Sequence, residues 1–477
     1  MKIKRFTTLI VLVAILITAI PTTAHADKER RFNMLVTVDG VDVCTTMAVH
    51  LNYENNIYVS MKDMAYALRS TSKAYSVDVS SSTVRMTKGV PYQGFFVAWG
   101  DDNLDVTGTA RAQRNEFYVD EIERKYYTII TDAGEMGLDA FISPLSLAMI
   151  LDVNISVSDD SISIDTNSPY TVSGSEIDNS GYMQGINAAL AGDGTTGAIY
   201  YEHNSEEAVP IASTTKLMTF FVLMDAVENG EVSLSDRVRI SKNAEVISGG
   251  IDGVITFTEG SSYDMADLIK AMLILSSNES ALAIAEHVAG TEEAFVERMN
   301  NKAAGLGLTE AYFYNCNGLP VYDDQLLPAK MQNHMTAREM FVLASELVRI
   351  YPEVLDITSL KVAGLPSIGM DAKTTNALLY NMDEVKGLKT GTTNKSGACL
   401  VTCIPLEKDG EKHNVITVLF GAETEVERAT TAEILARFAE NEFYSGNHDS
   451  QEVEEFTGIP SDPEMVVEKL IKTYINR

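Results

Sequence analysis

Ser213-Thr-Thr-Lys216 is the stretch of this chain whose residue types and spacing most directly suggest chemistry. A serine hydroxyl is a poor nucleophile until a base takes its proton, and a lysine amine one helical turn away is placed to do so. Pro210 and small residues lead into the serine. Leu217, Phe220, Phe221 and Met224 then follow at the three-and-four spacing of a core-facing helix, so Ser213 is expected in the first turn. A helix N-terminus also offers free N–H groups and a partial positive charge to the anion that forms during acyl transfer. The pattern alone is weak, because Ser70-Thr-Ser-Lys73 repeats it in what reads as a surface turn.

The elements that must position this pair follow from periodicity. Two strands, Gly185–Leu190 and Gly197–Tyr201, deliver the chain to the Ser213 helix. A helix from Asp264 to Ile274 breaks at Ser276-Ser-Asn278, and a second runs from Glu279 to Val288. Thr336 to Leu347 is a further helix. Lys389-Thr-Gly391 opens a strand-rich end in which 398–404 and 414–420 pair across Asp409-Gly410, and a helix from Val426 to Phe438 closes the domain. Strands on both sides of a helical block imply one sheet built from distant segments, with a crevice between sheet and helices.

Three short elements then stand in order: Ser213-Thr-Thr-Lys216, Ser276-Ser-Asn278 and Lys389-Thr-Gly391. Ser276 can pass a proton between Lys216 and a leaving amine. Asn278 can orient a substrate carbonyl and hold Lys216. Lys389 is a second ammonium expected to push the pKa of both lysines down and to attract a terminal carboxylate. Thr390 adds a hydroxyl, Gly391 lets a peptide backbone approach, and the N–H groups of Thr392 and Ser213 suit an oxyanion. Ser-x-Asn also occurs at Ser241-Lys-Asn243 and Ser445-Gly-Asn447, so order and context carry the argument.

With these elements the chain resembles the serine D-alanyl-D-alanine carboxypeptidases, the low-molecular-mass penicillin-binding proteins, over roughly Gly185 to Glu440. The likeness extends to Asn317-Gly-Leu319, Met335-Thr-Ala-Arg-Glu-Met340 and Thr375-Asn-Ala-Leu-Leu379. It implies an α/β (α+β) penicillin-recognising serine hydrolase fold: an antiparallel sheet flanked by helices, plus a helical subdomain. It also implies acylation of Ser213 by peptidoglycan stem peptides ending in D-Ala-D-Ala, release of D-alanine, covalent inhibition by β-lactams and no cofactor. Thr392 stands where many members carry histidine. Only Asn441 to Arg477 follows the catalytic region in this sequence, too short for the β-rich domain that several members carry there, so that domain is not expected in this stretch. Alternatives are a D,D-endopeptidase on cross-linked peptidoglycan, a serine β-lactamase and an inactive wall-binding protein. The β-lactamase needs a water-activating carboxylate, for which Glu353 lies poorly placed.

The rest of the chain sets the context. With 477 residues and a formal charge of −30, it lacks the basic footprint that nucleic-acid binding requires. Residues 1–26 read as an export signal: a basic start, an apolar run from Leu9 to Ile20 and Ala24-His-Ala26 as cleavage site. Its removal places the protein outside the cell, at the wall or the outer face of the membrane. Residues 27–167 read as a small α+β domain in which a strand–helix–hairpin order occurs twice, resembling the copper-amine-oxidase N-terminal-like stalk modules but without a copper ligand set. Residues 168–181 are the expected linker, 182–442 the catalytic domain and 443–477 a tail. In the tail, Met465 to Ile475 forms an amphipathic helix, read as packing on its own protein, with peripheral membrane association as the alternative. Trp99 is read as a core residue, with sugar stacking the alternative. Cys44, Cys316, Cys399 and Cys403 are expected to stay free, since Cys399 and Cys403 lie about 13 Å apart along a strand, and no metal is expected.

Overall fold

The computed structural model describes residues 30–51, 56–94, 115–132, 137–179, 182–250, 253–323 and 326–446. The proposed export signal, Trp99 and the 465–475 helix lie outside the described residues. The chain divides into two compact units. Of the described residues, the smaller gathers those from 30 to 94 with those of Thr128–Leu151 and Ile155–Thr166; the larger gathers 115–127, Asp152–Asn154 and those from Asn167 to Gly446.

The smaller unit is a seven-stranded sheet with short helices. The duplicated order is visible in it. Strand Asn56–Ser60 leads into helix Met61–Leu68, and strand Leu138–Ile142 leads into helix Pro144–Leu151. These two strands pair antiparallel, Val59 opposite Ile142. A hairpin follows each helix, Tyr75–Val79 with Thr83–Lys88 and Asn154–Val157 with Ser161–Asp165. Ser70 is exposed in a turn and Lys73 reaches the Leu151 carbonyl, so this Ser-x-x-Lys is a surface turn.

Residues 115–127, which sequence grouped with the small domain, fold with the larger unit. There Lys125 N–H donates to Asn381 Oδ1 (2.8 Å) and the buried Tyr126 hydroxyl donates to Glu433 Oε1 (3.0 Å). The expected linker contains a short helix, Gly174–Asn179.

The larger unit is built on a five-stranded antiparallel sheet. In chain order its strands are β1 (Ala188–Asp193), β2 (Ile199–His203), β3 (Leu388–Thr393), β4 (Gly397–Lys408) and β5 (Glu411–Ala422), and in space they run β2-β1-β5-β4-β3. β4 and β5 form the expected hairpin, and Asp409 and Gly410 both adopt positive φ (56° and 84°), as a tight turn that matches strand twist requires. β3 is left at an edge of the sheet.

The helices that bear on the site are α1 (Lys216–Glu228), α2 (Met265–Lys270), α3 (Asn278–Ala289), α4 (Ala337–Ile350) and α5 (Glu425–Ser445). α4 and α5 both pack on β5. α1 is apolar around its circumference, with Leu217, Phe220, Phe221, Leu223 and Met224 all buried, so it runs through the interior. The Met335–Met340 motif has a local cause: Thr336 Oγ1 accepts from Glu339 N–H (3.0 Å) and Glu339 Oε2 accepts from Thr336 N–H (3.1 Å), a capping box that starts α4.

Candidate active site

Ser213 lies in a four-residue 3-10 turn, Ala212–Thr215, which runs directly into α1. At three residues per turn, positions i and i+3 eclipse, so Lys216 stands over Ser213. This is closer stacking than the α-helical first turn expected from sequence.

Lys216 is wholly buried. Its Nζ lies 2.8 Å from Ser213 Oγ, 2.7 Å from Asn278 Oδ1 and 2.8 Å from the Asn317 carbonyl oxygen. A protonated amine has three N–H donors, and three acceptors meet them. Burial pushes the Lys216 amine down to about 7, against smaller upward pulls from Cys316 and Glu279. At neutral pH a large fraction is therefore free base. The carbonyl oxygens of Asn278 and Asn317 can only accept, so they retain the two remaining N–H donors. The nitrogen lone pair is then left facing Ser213, whose hydroxyl donates to it.

Asn278 opens α3, capped by Ser277, whose Oγ accepts from Ser280 N–H (3.0 Å). The expected single helix before it is interrupted: α2 ends at Lys270 and a π-helical turn, Ala271–Leu275, follows. That turn ends on Ser276 in the left-handed conformation (φ 67°). Ser276 is half-buried, two residues from the amide that holds Lys216. π-turns and left-handed non-glycine residues both recur at functional sites.

Lys389 and Thr390 lie on the edge strand β3, and both are buried. Lys389 Nζ donates to the Thr390 carbonyl (2.8 Å), and the Thr390 and Thr375 hydroxyls are hydrogen-bonded. Burial first, and then the positive charges of Lys216 and Arg428, hold the Lys389 amine well below its usual range. The sequence-based argument made Lys389 the cause of the shift in both lysines; at Lys216 desolvation dominates instead. Gly391 faces the nucleophile: a Cβ there would lie 2.8 Å from Ser213 N and 3.1 Å from Thr214 N. The backbone of β3 thus passes beside the N–H of Ser213, and Thr392, next along this edge, is exposed.

Two contributors were not singled out from sequence. Arg428 on α5, nearly buried, donates to Thr392 Oγ1 (3.0 Å) and brings a second positive charge to β3. Asn333, also buried, donates to Thr215 Oγ1 (3.0 Å) and to the Asn315 carbonyl (2.9 Å), accepts from Tyr314 N–H (2.7 Å), and its own carbonyl accepts from Ile211 N–H (3.1 Å). It ties the approach to Ser213 to the 315–319 turn. That turn supplies the Asn317 carbonyl, and Gly318 (φ +88°) is obligatory in it, since a Cβ would fall 2.0 Å from the Ala212 carbonyl oxygen. Asn317-Gly-Leu was noted as a sequence likeness, and the structure supplies its reason. Glu353 is exposed at the start of a short helix, Val354–Thr358. All four cysteines are free. No described helix is long and apolar enough to cross a membrane.

The chain belongs to the D-alanyl-D-alanine carboxypeptidase family, whose signature matches residues 183–424, just over half of the sequence. Among its relatives, the D-alanyl-D-alanine carboxypeptidase DacF of Bacillus subtilis is 32% identical over 254 residues, covering 52% of this chain and 60% of that protein. The D-alanyl-D-alanine carboxypeptidase DacC of Escherichia coli is 32% identical over 247 residues, covering 51% and 58%. The chain therefore spans about 60% of the length of these curated relatives. A solved structure, penicillin-binding protein D2 of Listeria monocytogenes in its ampicillin-bound form, is 29% identical and covers 57% of this chain and 99% of that one, with a TM-score of 0.47.

Proposed function

We propose that the protein is an exported serine D,D-carboxypeptidase that removes the terminal D-alanine from peptidoglycan stem pentapeptides. The observation that carries this reading is the buried Lys216 amine, 2.8 Å from Ser213 Oγ and held on its other two sides by oxygens that only accept. In the first step Ser213 Oγ gives its proton to Lys216 and bonds to the carbonyl carbon of the penultimate D-alanine. The N–H groups of Ser213 and Thr392 receive the oxyanion. The C–N bond then breaks, the proton reaches the departing amine by way of Ser276, and D-alanine leaves. Water, deprotonated by the same base, hydrolyses the ester and restores Ser213.

The substrate peptide lies along the edge of β3, as an added strand would. Lys389, together with Arg428, receives the terminal carboxylate. A β-lactam presents an acyl bond and a carboxylate to the same groups and acylates Ser213 in place of the peptide. The smaller unit serves as a spacer or as a wall- or partner-binding module.

Incubating the protein with a pentapeptide ending in D-Ala-D-Ala releases one equivalent of alanine, and Ser213→Ala abolishes the release. Release that survives the substitution refutes the assignment. A D,D-endopeptidase is the second reading, favoured by 31% identity over 219 residues to a D-alanyl-D-alanine endopeptidase of Pseudomonas aeruginosa. Cleaved cross-links in the products from intact peptidoglycan would select it.

A further inference from the structure

Tyr312 and Tyr314 are exposed, at 49% and 36%, while Phe313 between them is buried. This alternation belongs to an extended segment that turns one aromatic face outward. The two tyrosine rings stand 4.7 Å apart between centroids, inclined at 60°. The half-buried His334 ring joins them, 6.3 Å from Tyr312 and 6.2 Å from Tyr314. The backbone fixes this platform. Tyr312 and His334 exchange both N–H···O bonds (2.9 and 3.1 Å), and Tyr314 N–H donates to Asn333 Oδ1 (2.7 Å). The His334 ring is held by its Nδ1–H, which donates to the Gln332 carbonyl (2.9 Å).

The platform adjoins the nucleophile along two paths. Tyr314 lies three residues before Asn317, whose carbonyl is 2.8 Å from Lys216 Nζ. His334 stands opposite Pro210 in a short antiparallel pair, and Pro210 is three residues before Ser213. Beside that pair, Ile211 N–H donates to the Asn333 carbonyl (3.1 Å). Three Cα steps and one strand spacing place the His334 backbone at most about 17 Å from that of Ser213.

The chemistry of the patch selects its ligand. Residues 311–319 and 332–335 carry no acidic or basic side chain, and the whole chain has a formal charge of −30. A polyanion finds no counter-charge here and is repelled by the molecule as a whole. Inclined tyrosine rings offer apolar faces edged with hydroxyls. A pyranose matches that surface, with C–H faces to lie on the rings and hydroxyls to bond the phenols.

We propose that Tyr312, Tyr314 and His334 form a sugar subsite, which takes one N-acetylated pyranose of the glycan strand that carries the stem peptide. The inference rests on the peptidoglycan reading under Proposed function. The reach agrees with it. The scissile carbonyl belongs to the fourth stem residue, and the first residue is joined to the sugar. Four extended residues span at most about 14 Å, the scale that separates the platform from Ser213. The subsite therefore favours stems still attached to glycan over free peptides.

The test measures D-alanine release from a disaccharide pentapeptide and from the same pentapeptide without sugar. The unsubstituted protein is expected to show a KM at least about fivefold lower for the disaccharide form, as stacking on aromatic rings supplies. The double variant Tyr312→Ala, Tyr314→Ala should erase that difference while kcat on both substrates and KM for the free pentapeptide stay unchanged. The double variant Tyr312→Phe, Tyr314→Phe keeps the rings and should retain most of the difference. Equal KM values for the two substrates in the unsubstituted protein overturn the proposal. An alanine variant impaired equally on both also overturns it, since the tyrosines then only support the 315–319 turn. So does one that keeps the full difference, which leaves the patch to another partner, such as a second copy of the chain. Where the double alanine variant does not fold, Tyr312→Ala, at the more exposed ring, decides alone. If neither substrate is hydrolysed, the proposed function fails, and a tetramer of N-acetylglucosamine decides the subsite by itself. Shifts of the Tyr312 and Tyr314 ring resonances in NMR, assigned by their loss in the variants, support it. Unmoved resonances at millimolar sugar overturn it.

Discussion

Lys216 Nζ stands 2.8 Å from Ser213 Oγ, and the direction of the hydrogen bond between them reverses with one proton. In the ammonium form lysine donates to serine. In the amine form serine donates to lysine, because Asn278 Oδ1 and the Asn317 carbonyl hold the two N–H groups that remain. With the amine lowered to about 7, the reversal falls near neutral pH. Acylation of Ser213 by a fluorescent penicillin should therefore rise through pH 7 and level off above it. A rate independent of pH between 5 and 9 would contradict this.

Replacing Lys216 by arginine leaves a cation that does not deprotonate at any working pH. Acylation should fall by about 10²- to 10⁴-fold, the usual contribution of a general base. Stopped-flow or gel-based labelling at saturating penicillin checks the loss, and circular dichroism checks that the fold persists.

Gly391→Ala should slow acylation at least tenfold, with a small loss of stability. The added Cβ would lie 2.8 Å from Ser213 N, on the path proposed for a substrate backbone beside β3. Comparing the thermal midpoint with the acylation rate separates the two effects.

Asn333→Ala removes a side chain that serves Thr215, Asn315 and Tyr314 at once. It leaves buried donors and acceptors without partners, at about 1–3 kcal/mol each. The variant should unfold at clearly lower denaturant concentration and, where folded, acylate slowly, because the Asn317 carbonyl loses its support.

In the smaller unit, Asp139 is fully buried beside Ser60, and burial pushes its carboxyl up to about 7. Its folded pKa lies above the unfolded value, so the folded unit holds a proton that the unfolded chain releases between about pH 4 and 7. Stability of this unit should therefore decrease as pH rises through that window, by about 4 kcal/mol at most, and level off above it. Asp139→Asn should flatten the dependence in pH-resolved thermal melts.

Much of the molecule was readable from local pattern. The Asp409-Gly410 hairpin, the helix that starts at Thr336, the repeated strand–helix–hairpin order and the apolar character of α1 follow from residues a few positions apart, where sterics and periodicity act directly. The residues of the three motifs were also identified by type and order. The cause of the low Lys216 pKa was misplaced, because desolvation depends on what covers the amine, and the cover comes from segments 62 and 101 residues away.

What the amino-acid sequence determined by itself was a serine, two lysines and an amide in the order of a known chemistry, with helices and strands to carry them. Tertiary structure alone decided that the Asn317 carbonyl is the third ligand of Lys216, that Asn333 and Arg428 support the site, and that Ser276 is left-handed at the end of a π-turn. Burial, field and hydrogen-bond direction are properties of a neighbourhood, and a neighbourhood exists only once distant segments have packed.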